Sequence, residues 1–588
     1  MRINNMTIGK NTLLLLLGFF ILSVIGCGGM GDGKAAPLVS VDGGYPTRHG
    51  QTTPSGIKLG GYLRLNETAD ARSLDPVRTG ETSAHHIGMQ IYDSVLQFDN
   101  DMNLNPCLAE SYELSEDGKI YTLQVRQGVH FHDDPCFPNG KGRELTAHDL
   151  KYSLSRNLDP TTQSTGAFLF EGIVEGAQAY MRGEAEEVTG FQVVDDHTFQ
   201  IRLTKPFSPF PYRLAMSYCF ICPKEAVEHY GEDFFQNPVG TGPFRFVHWK
   251  PGQDLLMVRN TKYWKKDKDD VQLPYLDGVR FTFLNDFKTE LLSLDLGELD
   301  MITTIHEDLW SRVFNKESNL KPNYQHYQLQ AKSLLDVHYF GFNMEKPPFK
   351  GNKALRQAIN YAVNREAIIE YVLQGRGTRA KGIVPISMPG YKPTVEGYKY
   401  NPEKASQLLR DAGYPNGEGL PVITLDLNSG GTTNEAIAEA IQNQLDQVGI
   451  KVRLNIVEWV QHLENIDNGA SEFFRLGWIA DYPDPENFLS LFWSKNIPPI
   501  GPNYTRYRNE EFDRLFEKAL TIADQEERFA IYQQIEKMAV EDASMLFLYY
   551  RKRHRLLQPF VKNLELNVQE NPILEQTWLD FPEKKPQT

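Results

Sequence analysis

The sequence predicts an α/β protein of more than one lobe, on three observations. Its 588 residues exceed what one hydrophobic core organises. Its first half carries strands of period two, and its second half carries a strand–helix–strand unit, which places its two strands in parallel.

The first strand signal runs from Gly118 to Arg126, where Tyr121, Leu123 and Val125 alternate with Thr122 and Gln124. Asp195-Asp196-His197 then forms a turn into a second alternating strand, Phe199, Ile201 and Leu203, closed by Lys205-Pro206. Later the period changes: Leu355, Ile359 and Ala362 recur at helical spacing, and Asn364 is placed to cap a turn through Ala367, Ile368 and Ile369. Val422 to Leu427 reads as a strand. Asn434 is expected to cap a helix with Ile437, Ile441, Leu445 and Val448 on one face, Gly449 stops it, and Ile450 to Val457 is the next strand. A further strand, Phe473 to Ile479, delivers its end to Asp481-Tyr482-Pro483-Asp484-Pro485. Ligands of open α/β sheets lie beyond the carboxyl ends of strands, so this turn is the first place to seek a site. Two helices follow, one carrying Phe512, Leu515, Phe516 and Ala519, the other Phe529, Tyr532, Ile535 and Ala539, before a last strand from Leu546 to Tyr550.

Composition narrows the function. Hydrophobic residues at 41% and aromatics at 11% are those of an ordinary globular chain. A net charge of −15 without basic clusters argues against nucleic acid as a partner. At the N-terminus Arg2 and Lys10 precede an apolar run, Leu13 to Ile25, too short to span a bilayer, which reads as a signal peptide over residues 1–26. The run ends in Val24-Ile25-Gly26-Cys27, which resembles a bacterial lipobox and implies lipidation of Cys27 and attachment to a membrane outside the cytoplasm. Residues 27–57, rich in Gly, Pro, Ser and Thr, read as a flexible tether.

Four cysteines remain: Cys107, Cys136, Cys219 and Cys222. In an oxidising compartment an even number suggests two disulfides; of three possible connectivities, Cys107–Cys136 with Cys219–Cys222 is the expected one. A redox role for Cys219-Phe220-Ile221-Cys222 would need a small βαβ domain with the motif opening a helix.

Enzyme signatures are missing: there is no Gly-x-Ser-x-Gly and no His-Glu-x-x-His, and Gly240-Thr241-Gly242-Pro243 lacks the Lys-Ser/Thr of a phosphate loop. His130, His132, Asp133, Asp134, Cys136 and His148 are the densest set of possible metal ligands, at a spacing that matches no zinc pattern. Asp481, Asp484 and Glu486 lack the Gly and distal Glu of a calcium loop. No catalytic residue, metal or cofactor is therefore expected. Asp481 beside Trp478, with Arg475 six positions earlier, supplies what a zwitterionic peptide needs: a carboxylate for an ammonium group, a guanidinium for a carboxylate, and an aromatic wall. The competing reading pairs Arg475 and Asp481 with one another or with the backbone.

Several blocks in order resemble the oligopeptide- and dipeptide-binding lipoproteins and periplasmic proteins, the bacterial extracellular solute-binding proteins of family 5. They include Ser73-Leu74-Asp75-Pro76, Ile91-Tyr92-Asp93-Ser94-Val95, Leu108-Ala109-Glu110-Ser111, Leu145 to Ser153, Pro238 to Phe244, Tyr263-Trp264 and Leu355 to Ile359. The most specific is Gly477-Trp478-Ile479-Ala480-Asp481-Tyr482-Pro483-Asp484-Pro485. The resemblance implies a two-lobed periplasmic-binding-protein-like fold with a hinge and an additional subdomain. The implied boundaries are 58–91, 221–337 and 549–588 for lobe I, 92–220 for the subdomain and 338–548 for lobe II.

It further implies a monomeric binding protein that catalyses nothing and hands oligopeptides to the permease and ATPase subunits of an ABC transporter. Asp481 would hold the α-ammonium and Arg475 the carboxylate, Trp459 and Trp478 would lie near the side-chain pockets, and Gly477 and Tyr482 would complete the ligand-binding set. A Lys and a His that bind ligand carboxylates in other members fall on Asn360 and near Thr433, and residues 134–143 form an insertion in which Cys136 is placed to tie back to Cys107. Members also carry oligosaccharides and nickel chelates, so these remain the alternative ligands, with a secreted hydrolase as the rival of another class.

Overall fold

A strand near the start of the chain finds its partner more than two hundred residues later. Tyr62–Asn66 lies parallel to Gly278–Thr282, and the sheet continues antiparallel through Asp254–Arg259 to Phe244–Lys250. The chain therefore leaves this sheet and returns. The computed structural model describes residues 47–48, 50–429 and 431–581, so the expected signal peptide, Cys27 and most of the tether lie outside the described residues.

Between the two visits stands an antiparallel sheet in the order Ala109–Leu114, Ile120–Val125, Thr198–Arg202, Phe191–Asp195. Tyr121, Leu123, Val125, Phe199 and Ile201 are buried on one face of it, as their alternation requires. The helix Ala147–Arg156 packs beside it behind a capping box, in which Thr146 and Asp149 satisfy each other's backbone donors.

The largest sheet has eight strands, with Met301–Ile302, Met545–Leu557, Asp336–Phe342, Phe473–Ile479, Ile423–Asn428 and Val452–Val457 in order. Ile423–Asn428 and Val452–Val457 are parallel and joined by the helix Thr432–Asp446, which is the unit read from the sequence. The helix begins earlier than expected, with Gly431 at its N-cap, so Asn434 sits in the first turn rather than capping it. Asn364 does cap, accepting from the Ala367 N–H.

Met545–Leu557 outruns the five residues expected of it. It pairs with Asp336–Phe342 through Tyr549, and with Gln328–Ser333 from Lys552 onward. The charged run Arg551 to Arg555 hid this continuation, because these side chains bury their stems while their heads find polar partners; Arg555 is buried with Nε on Gln330 Oε1 at 2.9 Å.

Two expectations are corrected. The composition of residues 27–57 predicts a tether, yet residues 47, 48 and 50–57 lie against the first sheet: the Arg48 N–H donates to Asp277 Oδ1 at 2.9 Å, and Thr53 is buried. The four cysteines Cys107, Cys136, Cys219 and Cys222 are free thiols. Cys107 faces Asp93, Cys219 donates to the Arg213 carbonyl at 3.3 Å, and the Cys222 sulfur accepts from Arg156 Nη1 at 3.6 Å. Parity counts cysteines, whereas a bridge needs two Cβ atoms about 4 Å apart and facing each other. Burial pushes all four thiols up, so they stay protonated.

Candidate functional site

Phe473–Ile479 runs antiparallel to Asp336–Phe342 and parallel to Ile423–Asn428, its neighbours on either side. Strand period puts Arg475, Gly477 and Ile479 on one face and Leu476 and Trp478 on the other. Beyond Ile479 the Ala480 N–H donates to the Leu335 carbonyl, and the chain then turns.

Two carboxylates fasten this turn in opposite directions. Asp484 points inward with no exposure, accepting the Glu486 N–H at 2.9 Å and Arg528 Nη2 at 3.1 Å. Tyr482 is buried too, its hydroxyl on Glu486, its ring stacked on Tyr212 at 6.4 Å with the Arg213 guanidinium 5.8 Å from its centre. Asp481 points outward. Asn487 Nδ2 donates to Asp481 Oδ2 at 3.0 Å, while Asn487 Oδ1 accepts both the Asp481 N–H and Trp478 Nε1.

Asp481 opens on a cavity of about 290 Å3 walled by Thr79 to Thr82, His85 and His86, Ala215 to Tyr218, Leu334 to Asp336, Arg551 and Val568 to Asn571. The surrounding wall pushes its carboxyl above the ordinary aspartate value, against the opposing pull of Asn487 and Arg213. A second cavity of about 260 Å3 adjoins the first across His85, Phe98, Ala215 and Asn571. His85 stacks on Phe220 at 6.2 Å and bonds Asn571 Oδ1 at 3.0 Å; burial beside His86 lowers its pKa to about 4, so it is neutral.

The other expected residues divide. Gly477 stands opposite His338, where a Cβ would come within 3.2 Å of the ring. Trp478 is half-buried and orients Asn487 from the opposite face. Trp459 starts the helix Trp459–Asp467, is 46% exposed, and lines neither cavity. Arg475 does not pair with Asp481: its guanidinium donates to Asn428 Oδ1 and to His338 Nδ1, each at 3.1 Å. Burial beside Arg475 and Arg551 drives the His338 pKa far down, which keeps the ring neutral and able to accept. Asn360 is fully buried against Arg365 and the Met545 carbonyl, and Thr433 bonds Glu307.

Sequence reasoning missed Asn487, Asp336 and Arg551. Asn487 carries no motif of its own, and the other two reach the site only through strand pairing. The residues weighed above as possible metal ligands are dispersed: His132 Nε2 bonds the Gly242 carbonyl and Asp133 meets Lys141 and Lys262. Among the described residues no three His, Cys, Asp or Glu side chains come together around one point.

Comparison with known proteins agrees with this architecture. Heme-binding protein A of Haemophilus influenzae is 33% identical over 82% of this chain and 85% of its own. The dipeptide-binding protein of Escherichia coli is 29% identical over 80% and 85%. The periplasmic binding protein DppA of Helicobacter pylori, solved with the peptide STSA, superposes with a TM-score of 0.70 at 28% identity, covering 89% of this chain and 99% of that one. HbpA2 of Haemophilus parasuis gives 0.75 at 27% identity, over 88% and all of that chain. The model of the bacterial extracellular solute-binding proteins, family 5, matches residues 103–498. With its two-lobed α/β fold, that match over residues 103–498 and a relative 33% identical over 82% of its length, the chain belongs to the family 5 solute-binding proteins of ABC importers.

Proposed function

We propose that this protein is a lipid-anchored receptor outside the cytoplasm that captures oligopeptides between its lobes, pairs their α-ammonium with Asp481, and delivers them to an ABC permease and its ATPase. It works as a monomer and releases its ligand unchanged. The carrying observation is the state of the Asp481 carboxylate. It faces a cavity, is oriented by a neutral amide, and has no cation in contact with it among the described residues. An ammonium group entering the cavity supplies the missing charge, and desolvation by lobe closure strengthens that pair.

Two relatives support a peptide: the one named for dipeptides, and the solved one that holds STSA. Lobe I is assigned to 58–91, 221–337 and 549–588, the subdomain to 92–220 and lobe II to 338–548, a division supported by the parallel pairing of Tyr62–Asn66 with Gly278–Thr282.

The test is native mass spectrometry of the purified exported chain, before and after mild denaturation. A ladder of short peptides released from wild type and missing from Asp481→Ala is expected. A single heme, sugar or chelate, or release that ignores Asp481, overturns the peptide ligand. For the anchor, Cys27→Ser is expected to move the protein from the membrane to the soluble fraction.

A further inference from the structure

If Asp481 takes the ammonium, the carboxylate end of the ligand needs a cation at the right distance. Arg475 is poorly placed for this. Its guanidinium is engaged by Asn428 and His338, and the space beside it measures about 10 Å3, room for no more than a water. Four residues of strand, about 13 Å at 3.3 Å per residue, followed by the turn through Ala480 also separate it from Asp481.

Arg551 lines the same cavity as Asp481. Its inner edge is fixed by one carboxylate: the backbone N–H donates to Asp336 Oδ1 at 2.8 Å and Nε to Asp336 Oδ2 at 2.6 Å. Asp336 is 1% exposed, whereas the Arg551 side chain is 34% exposed. Its two outer nitrogens make no hydrogen bond among the described residues. Strand register sets the distance, since Asp336 pairs directly with Ile479, two residues before Asp481. Arg551 and the end of the strand that delivers Asp481 thus lie two strands apart, about 10 Å at 4.8 Å per strand, on the wall of one cavity, which leaves room for two or three extended residues.

The remaining charges on the cavity wall are already matched. Glu570 is bound by Arg553 and also feels the charge of Arg551 without a hydrogen bond to it, Glu81 is bound by Arg72, and Glu67 holds His86 at 2.8 Å. His85 is neutral. Among the described residues lining this cavity, Asp481 is the acid without a cation, and Arg551 is the cation with an open, doubly donating edge.

We infer that Arg551, held by Asp336, receives the C-terminal carboxylate of the ligand in place of Arg475, so that the site selects short zwitterionic peptides of two or three residues. The inference rests on the peptide reading above and fixes its length and its second anchor. Bidentate pairing gives the selectivity its sign: a free carboxylate binds, an amide does not.

Isothermal titration with a mixture of Ala-X dipeptides and tripeptides, and with the matching C-terminal amides, tests it. Wild type is expected to favour the acids by at least about tenfold. Arg551→Gln is expected to bind acids and amides alike, and Arg475→Gln to keep the preference. Because Arg551→Gln strands the buried Asp336, the double variant Arg551→Gln/Asp336→Asn provides a neutral pair that keeps the fold and should show the same loss. A preference that survives in both Arg551 variants, or that vanishes only in Arg475→Gln, overturns the anchor. Equal binding of acids and amides by wild type overturns the anchor and leaves the peptide reading standing; no binding of any peptide overturns both.

Discussion

Asn487 holds Asp481 at two points, donating to its carboxylate at 3.0 Å and accepting its backbone N–H at 3.2 Å, while the same carbonyl oxygen takes the Trp478 indole. One neutral side chain thus aims the acid and joins it to the aromatic before it. Asn487→Leu removes both bonds without adding charge, so peptide affinity is expected to fall about tenfold, in line with 1–2 kcal/mol for paired hydrogen bonds, with Asp481 itself intact. Titration calorimetry against wild type reads the change; unaltered affinity would show that Asp481 orients itself.

Binding should weaken in acid. Desolvation by the surrounding cavity wall raises the Asp481 pKa above the ordinary aspartate value, so protonation sets in at a higher pH than for a free carboxylate. An ammonium ligand pairs only with the ionised form. Affinity is therefore full above the raised pKa and lost as pH falls through it, with a proton released on binding in that range. Calorimetry in two buffers of different ionisation enthalpy detects the proton, and Asp481→Asn should show weak binding and no such release.

Fold stability should move the opposite way. Glu536 is fully buried, accepting from the Val384 N–H at 3.0 Å and the Tyr391 hydroxyl at 2.8 Å, and burial raises its pKa to about 7. The folded state then holds a proton that the unfolded state gives up near pH 4.5, so stability declines as pH rises between those values. Thermal denaturation is expected to give a higher Tm near pH 5 than near pH 8. Glu536→Gln should recover part of the loss at the higher pH, up to about 3 kcal/mol, and little at the lower; a Tm independent of pH in both proteins contradicts the assignment.

Arg528 and Asp484 form an ion pair whose side chains are 4% and 0% exposed. Removing one partner strands the other, so Arg528→Leu is expected to destabilise by about 3–5 kcal/mol. The variant should also bind peptide less well, because Asp484 pins the turn that presents Asp481. Chemical denaturation with binding measured on the same samples separates the two effects.

Reductant should leave the melting temperature unchanged, because the thiols at Cys107, Cys136, Cys219 and Cys222 are free. Thiol titration after denaturation is expected to find all four reactive, with little reaction beforehand at the buried Cys107, Cys219 and Cys222.

Legibility from sequence followed the range of the interactions. Period and capping are local, so Phe473–Ile479, the helix Glu510–Ala519 and the parallel unit around Thr432–Asp446 were visible in the chain. Asp481 was visible as well, being delivered by a strand end. Arg551 was not: it reads as one of several cations in a charged run, and only its tie to Asp336, 215 positions earlier, brings it to the cavity. The cysteine pairing failed for the same reason, since a count of residues contains no directions.

The strand Met545–Leu557 gives one backbone to successive partners, holding Asp336–Phe342 through Tyr549, Gly377–Arg379 from Tyr549 to Arg551 and Gln328–Ser333 from Lys552. Tyr550 and Arg551, between the other two, are themselves paired with Thr378 and Gly377. Arg551 therefore stands in a stretch of strand braced along its length, its side chain tied to Asp336 as well. In the proposed capture, an anchor set in such a beam cannot swing away from its neighbours, so the ligand's carboxylate would meet the same fixed edge from first contact to release.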